Sequence, residues 1–215
     1  SGHADDYARY RPHYPPELYE YLADLCNEHS LAWDCATGNG QAAIGLSDYF
    51  QHIHATDISP QQLNQAPSKD NITFRKESAY NCSLQNNSAD LVTAAQAVHW
   101  FDRPDFYAES KRVLKSDGVI ALWTYNRIYF EQDELNRILS YFYNDLIVDY
   151  WSFNRSLIEN GYSTLDFPFD EINTPQFTIR HKWDASKVIN YLYTWSSVKN
   201  YMKQNNDDPV EQIKD

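Results

Sequence analysis

Cysteine is scarce, and Cys26, Cys35 and Cys82 are an odd number standing far apart. That excludes a disulfide ladder and a CxxC zinc site, and a reduced, cytoplasmic thiol inventory is the plain reading. Positive charge is also short. Lys+Arg of 18 against Asp+Glu of 30 leaves a net charge of -12, so nucleic acid would meet a repulsive field over most of the surface. No nucleic-acid partner is expected. A run of about 18 apolar residues is missing, and Ser1 to Tyr10 have neither the basic flank nor the apolar stretch of a signal peptide. The expectation is a soluble, unexported cytoplasmic chain with no membrane partner. Ser1-Gly2-His3 carries no initiator Met and stays outside the functional reading. Internal repeats and low-complexity tracts are absent too.

Aromatic residues are plentiful. They make up 15% of the chain, and Tyr alone occurs 17 times. An apolar ring with a hydrogen-bonding tip suits a cavity that must be dry yet polar at chosen points.

The length favours one domain, 1–215, with an inserted subregion. Its parts are an N-terminal arm and helix (4–30), a core (31–126), an inserted helical lid (127–176) and a C-terminal strand and helix (177–215). Pro16, Leu18, Tyr21, Leu22 and Leu25 have helical spacing, with Pro just inside the start. Strand candidates at 31–36, 52–57, 72–77, 89–96 and 118–125 are separated by helical stretches at 40–49, 60–66 and 104–115. Strand, turn, helix, strand is the grammar of right-handed crossovers. The spacing therefore predicts an α/β fold: a doubly wound, Rossmann-like, mostly parallel sheet with helices on both faces. After the fifth strand, Leu135, Ile138, Leu139, Phe142, Leu146 and Ile147 make an amphipathic helix. An insertion of roughly 50 residues there is too long for an ordinary loop. A strand at 177–183 and a helix carrying Val188, Ile189, Leu192, Trp195 and Val198 on one face are expected to follow.

The stretch Leu31-Ala-Trp-Asp-Cys-Ala-Thr-Gly-Asn-Gly-Gln41 admits two readings. Gly38-Asn-Gly40-Gln-Ala-Ala43 satisfies the dinucleotide pattern, and Asp57 follows near the spacing of a ribose-binding acid. Asp34 argues otherwise. A dinucleotide turn runs from an apolar strand into its glycines so that the helix start can receive a pyrophosphate. A carboxylate at that place suits a cation, and the ammonium and sulfonium of S-adenosylmethionine meet the requirement, with Asp57 taking both ribose hydroxyls. A solvated acid at the strand end is the competing reading of Asp34.

At these residues the chain resembles the class I S-adenosylmethionine-dependent methyltransferases, in the branch with a type 11 methyltransferase domain that includes trans-aconitate methyltransferase. The resemblance runs in order through Tyr7-Ala-Arg-Tyr-Arg-Pro-His-Tyr-Pro15, Trp33 to Gln41, Ala55-Thr-Asp-Ile-Ser59, Asp90 to Asp102 with its Gln-Ala-Val-His-Trp-Phe-Asp ending, Phe106 to Lys115, Phe167-Pro-Phe169 and Tyr193-Thr-Trp-Ser196. It implies S-adenosylmethionine as cofactor, with S-adenosylhomocysteine as product, and a small-molecule acceptor methylated at a carboxylate oxygen. Carried over by position, Asp34 with Ala36, Thr37, Gly38, Asn39 and Gly40 faces the methionine portion. Asp57 and Ile58 hold ribose and adenine, Ser78 and Ala79 meet the adenine edge, and Gln96, Ala97 and His99 border the methionine end. Tyr10 and Arg11 look like an arm closing over the cofactor carboxylate, with Tyr10 also reaching the acceptor. Relatives commonly have Ala-Glu where this chain has Ala79-Tyr80, so backbone or the Tyr80 ring takes the place of a carboxylate. Relatives also continue into a helix and a last antiparallel strand, which this chain lacks as it stands.

Transfer from a sulfonium is an in-line displacement that asks for alignment and dryness rather than a universal base. Aromatic faces attract such a cation by about 0.5–2 kcal/mol. Trp100 is either a wall of the acceptor pocket or a core residue packed on the 104–115 helix. His99 either removes a proton from a hydroxyl or amine acceptor or orients its neighbours. Arg11 is a carboxylate clamp or a surface ion pair. Trp151, Trp195 and Ser196 could border the acceptor, though a Trp at helical apolar spacing is more often core. Tyr107-x-x-x-Lys111 matches a dehydrogenase pairing but lacks that family's glycine turn, and His52-x-His54 has no third ligand nearby; no metal is expected. The rival readings are a nicotinamide oxidoreductase and a non-catalytic S-adenosylmethionine-binding module. Oligomeric state is left open.

Overall fold

The computed structural model describes residues 12–151 and 155–214. They fall into two compact units, one of 13–124 with 161–180 and the other of 125–160 with 181–214 and Pro12.

The first unit holds the sheet. Helix α1 (Pro16–Asp24) starts with Pro at its first position and Glu17 in its first turn, and it buries Leu18, Tyr19, Leu22 and Ala23; a proline loses no helical bond there and an acid complements the dipole. Strands β1 (Leu31–Cys35), β2 (His52–Asp57), β3 (Ile72–Lys76), β4 (Ala89–Ala95) and β5 (Leu114–Trp123) alternate with α2 (Gln41–Leu46), α3 (Pro60–Leu63) and α4 (Arg103–Val113). The β2 to β3 crossover thus contains only a one-turn helix. All neighbouring strands pair in parallel, in the order β3-β2-β1-β4-β5. β1 and β4 lie inside the sheet, and Ala32, Trp33, Leu91, Val92 and Ala94 are wholly buried, the near-continuous apolar pattern of strands covered on both faces. The expected strands and helices are found within a few residues of their predicted limits, with one larger shift. β5 begins directly after Val113, so the helix expected to 115 stops at 113 and the strand expected from 118 starts at 114.

The second unit is helical. α5 (Asp133–Tyr141) continues through a π-type turn (Phe142–Leu146) and a 3-10 turn (Val148–Tyr150), followed by α6 (Arg155–Glu159), α7 (Ala185–Tyr193) and α8 (Ser196–Asn205). Leu139, Phe142, Ile147, Leu192, Val198 and Val210 form its core with Tyr191 and Trp195. The insertion expected as a lid over 127–176 is therefore divided: 125–160 belongs to this unit and 161–180 to the sheet unit.

Two expectations are corrected here. Residues 177–183 do not form a strand. Phe177 and Ile179 are half-buried between exposed neighbours, but His181, which a two-residue alternation would cover, is exposed before the half-buried Trp183. A strand also needs a ladder partner for its main-chain groups, and none is present among the described residues. The single helix expected around 188–198 is two helices, because Trp195 is extended (φ -72°, ψ 136°) and begins α8. Among the described residues no helix is long and apolar enough to cross a membrane.

Candidate cofactor site

Order β2-β1-β4 means that the chain leaves β1 toward one side and reaches β4 on the other. Ligands of open α/β sheets bind at such a reversal, beyond the carboxyl ends of the strands. The first residue after β1 and the first after β4, Ala36 (φ 53°) and Gln96 (φ 54°), are both left-handed without being glycine. Backbone strain of this kind costs about 1–3 kcal/mol per residue and collects at ligand sites.

The turn after β1 is tied to the end of β2. Thr37 N–H donates to Thr56 O (2.9 Å), and Gly40 N–H closes on Thr37 O (3.0 Å). Gly38 N–H donates to Asp57 Oδ2 (2.9 Å). Gly38 (φ 58°) and Gly40 (φ 86°) are left-handed for different reasons. A Cβ on Gly40 would sit 2.8 Å from the Phe74 ring, whereas on Gly38 it would meet only Gln62 Oε1, at 3.9 Å. A Cβ on Gly38 would thus make only an ordinary contact, and the glycine leaves bare backbone for a ligand to approach. Gln62 Oε1 is buried and has no hydrogen-bond partner among the described residues, and buried polar atoms are seldom left so. A group with a donor lodged over Gly38 would satisfy it.

Asp34 lies beneath this turn, 1% exposed. Its carboxylate accepts from the hydroxyls of Thr37 and Thr93 (2.7 Å) and from the Ala43 N–H. Burial pushes its pKa up to about 6, against the pull of those three bonds, and the like charge of Asp57 adds to the rise. The solvated-acid reading is excluded. What reaches the crevice is the charge of Asp34 rather than a free pair of oxygens. Asp57 is half-buried and accepts from Ser59 N–H at 2.8 Å through Oδ1, which leaves each oxygen with acceptor capacity. Ile58 beside it is 70% exposed, an unusual posture for an apolar side chain with nothing to cover.

After β4, Gln96 Oε1 accepts from the Thr124 hydroxyl (3.0 Å) and Ala97 is buried. His99 is 4% exposed, with Nδ1 2.8 Å from the Tyr162 hydroxyl. Burial pushes the Tyr162 phenol well up, so it keeps its proton. Trp100, one residue on, is 59% exposed; of its two readings, the packed core residue is excluded. Ala79 is buried, and Ser78 Oγ accepts from Tyr80 N–H (3.2 Å). The Tyr80 hydroxyl accepts from Asp102 N–H (2.8 Å) and so joins the loop after β3 to the turn that carries Trp100. Tyr10 and Arg11 lie outside the described residues. Trp195 is 5% exposed, its ring centroid 5.5 Å from Trp151 and 5.7 Å from Tyr191, in the core of the helical unit; Ser196 beside it is exposed.

Thr93, Tyr162 and Gln62 were not foreseen from the sequence. Thr93 leaves a trace there, since it interrupts an apolar strand as Asp34 does. Tyr162 leaves none, being 63 positions from His99. The Tyr107-x-x-x-Lys111 pair has a packing role: Tyr107 lies edge-on to Phe167 and Phe169, and Lys111 Nζ is 5.1 Å from the Phe169 ring centre.

A family model described as a methyltransferase domain matches residues 33–122. A Dictyostelium discoideum protein named as a methyltransferase is 30% identical over 97% of this chain and 81% of its own. A Saccharomyces cerevisiae protein named as an S-adenosylmethionine-dependent methyltransferase is 21% identical over 94% of this chain and 82% of its own. The solved structure of a protein described as a type II methyltransferase from Anaeromyxobacter dehalogenans superposes with a TM-score of 0.88 at 34% identity, covering 94% of this chain and 86% of that one.

Proposed function

Since the chain belongs to the class I S-adenosylmethionine-dependent methyltransferases, we propose that it methylates a small molecule at a carboxylate oxygen. S-adenosylmethionine, when bound, supplies an electrophilic methyl group on a sulfonium sulfur. In this reading Gly38, Asn39 and Gly40 offer bare backbone to the methionine portion, and Asp57 receives the two ribose hydroxyls. Ile58, Ser78 and Ala79 border the adenine, and Gln96 and Ala97 the methionine end.

The observation that carries the reading is the buried carboxylate of Asp34 under the turn. A second charge at roughly 6 Å, with an effective dielectric near 20, interacts with it by on the order of 3 kcal/mol. The sign favours an ammonium or sulfonium and opposes each charge of a diphosphate. A carboxylate acceptor is already ionised at neutral pH and leaves no proton to remove. His99, held by Tyr162, is then a positioning residue, and the exposed face of Trp100 walls the acceptor and excludes water from the displacement.

Calorimetric titration with S-adenosylhomocysteine and with NADH tests the cofactor side, since binding of NADH alone would end the reading of Asp34. On the acceptor side, tritiated methyl is offered with small carboxylates, amines and phenols. A carboxyl ester releases volatile methanol in mild alkali, whereas methyl amines and ethers do not. Transfer confined to alkali-stable products would overturn the carboxylate assignment.

A further inference from the structure

The short helix α3 is entered through Ser59-Pro-Gln-Gln62, the spacing of a capping box. In that device the serine oxygen accepts from the main-chain N–H three residues on, and the side chain there reaches back to the serine N–H. Only half of it is formed. Ser59 Oγ accepts from Gln62 N–H at 3.4 Å, but the Ser59 N–H donates to Asp57 Oδ1 at 2.8 Å. Asp57 has taken the place of Gln62 in the box, and the Gln62 amide is released from capping the helix.

The released amide faces the glycine turn. Its Oε1 lies 3.9 Å from where a Cβ on Gly38 would stand, and it is buried with no hydrogen-bond partner among the described residues. Gly38 in turn donates its N–H to Asp57 Oδ2 at 2.9 Å. Gly38, Asp57, Ser59 and Gln62 are thereby joined at one place, beyond the carboxyl ends of β1 and β2, and all four belong to the sheet unit. A buried acceptor without a donor destabilises the free protein, and a ligand that brings the donor removes that penalty on binding.

We propose that Gln62 is a specificity-determining residue for the cofactor, its Oε1 accepting from one of the two ribose hydroxyls that Asp57 receives. The assignment rests on the reading that Asp57 holds the ribose. A hydroxyl is the donor that fits. The sulfonium has no proton to donate, the ammonium is drawn to the charge of Asp34, and a hydroxyl directed at Asp57 can divide its proton between two acceptors in a three-centre bond. A site that meets a ligand hydroxyl with a buried acceptor rejects the analogue lacking it, because the acceptor is then left unpaired.

The test is a calorimetric titration of the full chain with S-adenosylhomocysteine and with its 2′-deoxy and 3′-deoxy analogues. Gln62→Met, which keeps the length of the side chain and removes the acceptor, weakens S-adenosylhomocysteine by about threefold to tenfold. It also shrinks the penalty for one of the two deoxy analogues severalfold and leaves the other as it was. Gln62→Glu keeps an acceptor and keeps both penalties. Without ligand, Gln62→Met unfolds about 2–4 °C higher, because an unanswered acceptor is gone; a glutamine that serves the fold gives the opposite sign. Unchanged penalties for both analogues in Gln62→Met, or loss of the discrimination in Gln62→Glu, would overturn the proposal. Asp57→Asn, titrated with the same three ligands, separates the two levels. A hydroxyl coupled to Asp57 with none coupled to Gln62 sinks this assignment and leaves the ribose reading standing. Coupling to Gln62 with none to Asp57 does the reverse, and coupling to neither sinks both.

Discussion

Asp34 and Thr93 stand opposite each other in the parallel register of β1 and β4, and the Thr93 hydroxyl donates to the Asp34 carboxylate at 2.7 Å. Each is a polar interruption in a strand whose neighbours are apolar. Together they place an anion at the reversal point of the sheet, where its burial opposes folding and its field serves a cation.

That opposition can be measured. A carboxyl whose folded pKa is raised to about 6 binds its proton more tightly when folded than unfolded. Its contribution to stability is therefore present below its unfolded pKa and is lost as pH rises through about 6. Asp34→Asn, whose amide can still meet the Thr37 and Thr93 hydroxyls, is expected to stabilise the fold by on the order of 2 kcal/mol at pH 8 and by little at pH 4.5. Urea unfolding at the two pH values checks this, and an equal effect at both would refute it.

Binding runs the other way. Affinity for S-adenosylhomocysteine, which keeps the ammonium, is expected to fall as pH drops below about 6 and Asp34 takes up its proton. Thr93→Val removes a donor that holds the pKa down, so it should move the midpoint of that fall to higher pH and cost about 1–3 kcal/mol of stability. Calorimetric dissociation constants between pH 5 and 8 decide it; a flat profile for both proteins removes Asp34 from the electrostatics of the site.

The two glycines of the turn should separate folding from binding. Gly40→Ala drives a Cβ to 2.8 Å from Phe74 at φ 86° and is expected to lower stability by about 2 kcal/mol or more, with partial recovery when Phe74→Leu is added. Gly38→Ala makes only an ordinary contact, with Gln62 Oε1 at 3.9 Å, and should cost about 1 kcal/mol while abolishing S-adenosylhomocysteine binding. Equal losses of stability in the two variants would contradict this.

Trp100 at 59% exposure makes few internal contacts to lose. Trp100→Ala is expected to change stability by less than about 1 kcal/mol, far below the 3–5 kcal/mol of a core tryptophan, and to lower kcat more than tenfold. Thermal unfolding and steady-state transfer test the two halves separately.

For Asp57→Ala the expected loss is about 1.5–3 kcal/mol of cofactor affinity, from charge-assisted hydrogen bonds. Asp57 also accepts from the Gly38 and Ser59 N–H groups, so Asp57→Asn serves as the milder comparison. An unchanged dissociation constant in the alanine variant would take Asp57 out of the site.

Much of the architecture was legible because it is local. Strand and helix rhythm from Leu31 to Trp123, the acid before the glycines and the acid after β2 are all written within short windows, and each has a physical reading in isolation. The stretch 177–183 misled because a strand is defined by its partner: Phe177, Ile179 and Trp183 are spaced as one face of a strand would be, but no ladder forms there among the described residues. Trp100 and Trp195 are equally aromatic in sequence. Only packing separates them, since one stands out from the end of β4 while the other is surrounded by rings in the helical unit.

Sequence by itself thus determined the parallel sheet, the bare turn and the sign of the charge beside it, because backbone freedom, hydrophobic period and ionisation are properties of residues and near neighbours. Tertiary structure alone decided that Asp34 lies beneath the turn rather than in the crevice, that His99 is tied to Tyr162, that Gln62 Oε1 is left without a donor, and that Arg155 stacks on Tyr143 and Trp151 within reach of Glu159. Burial and hydrogen-bond satisfaction depend on what the rest of the chain brings into contact, and that is not written at any single position.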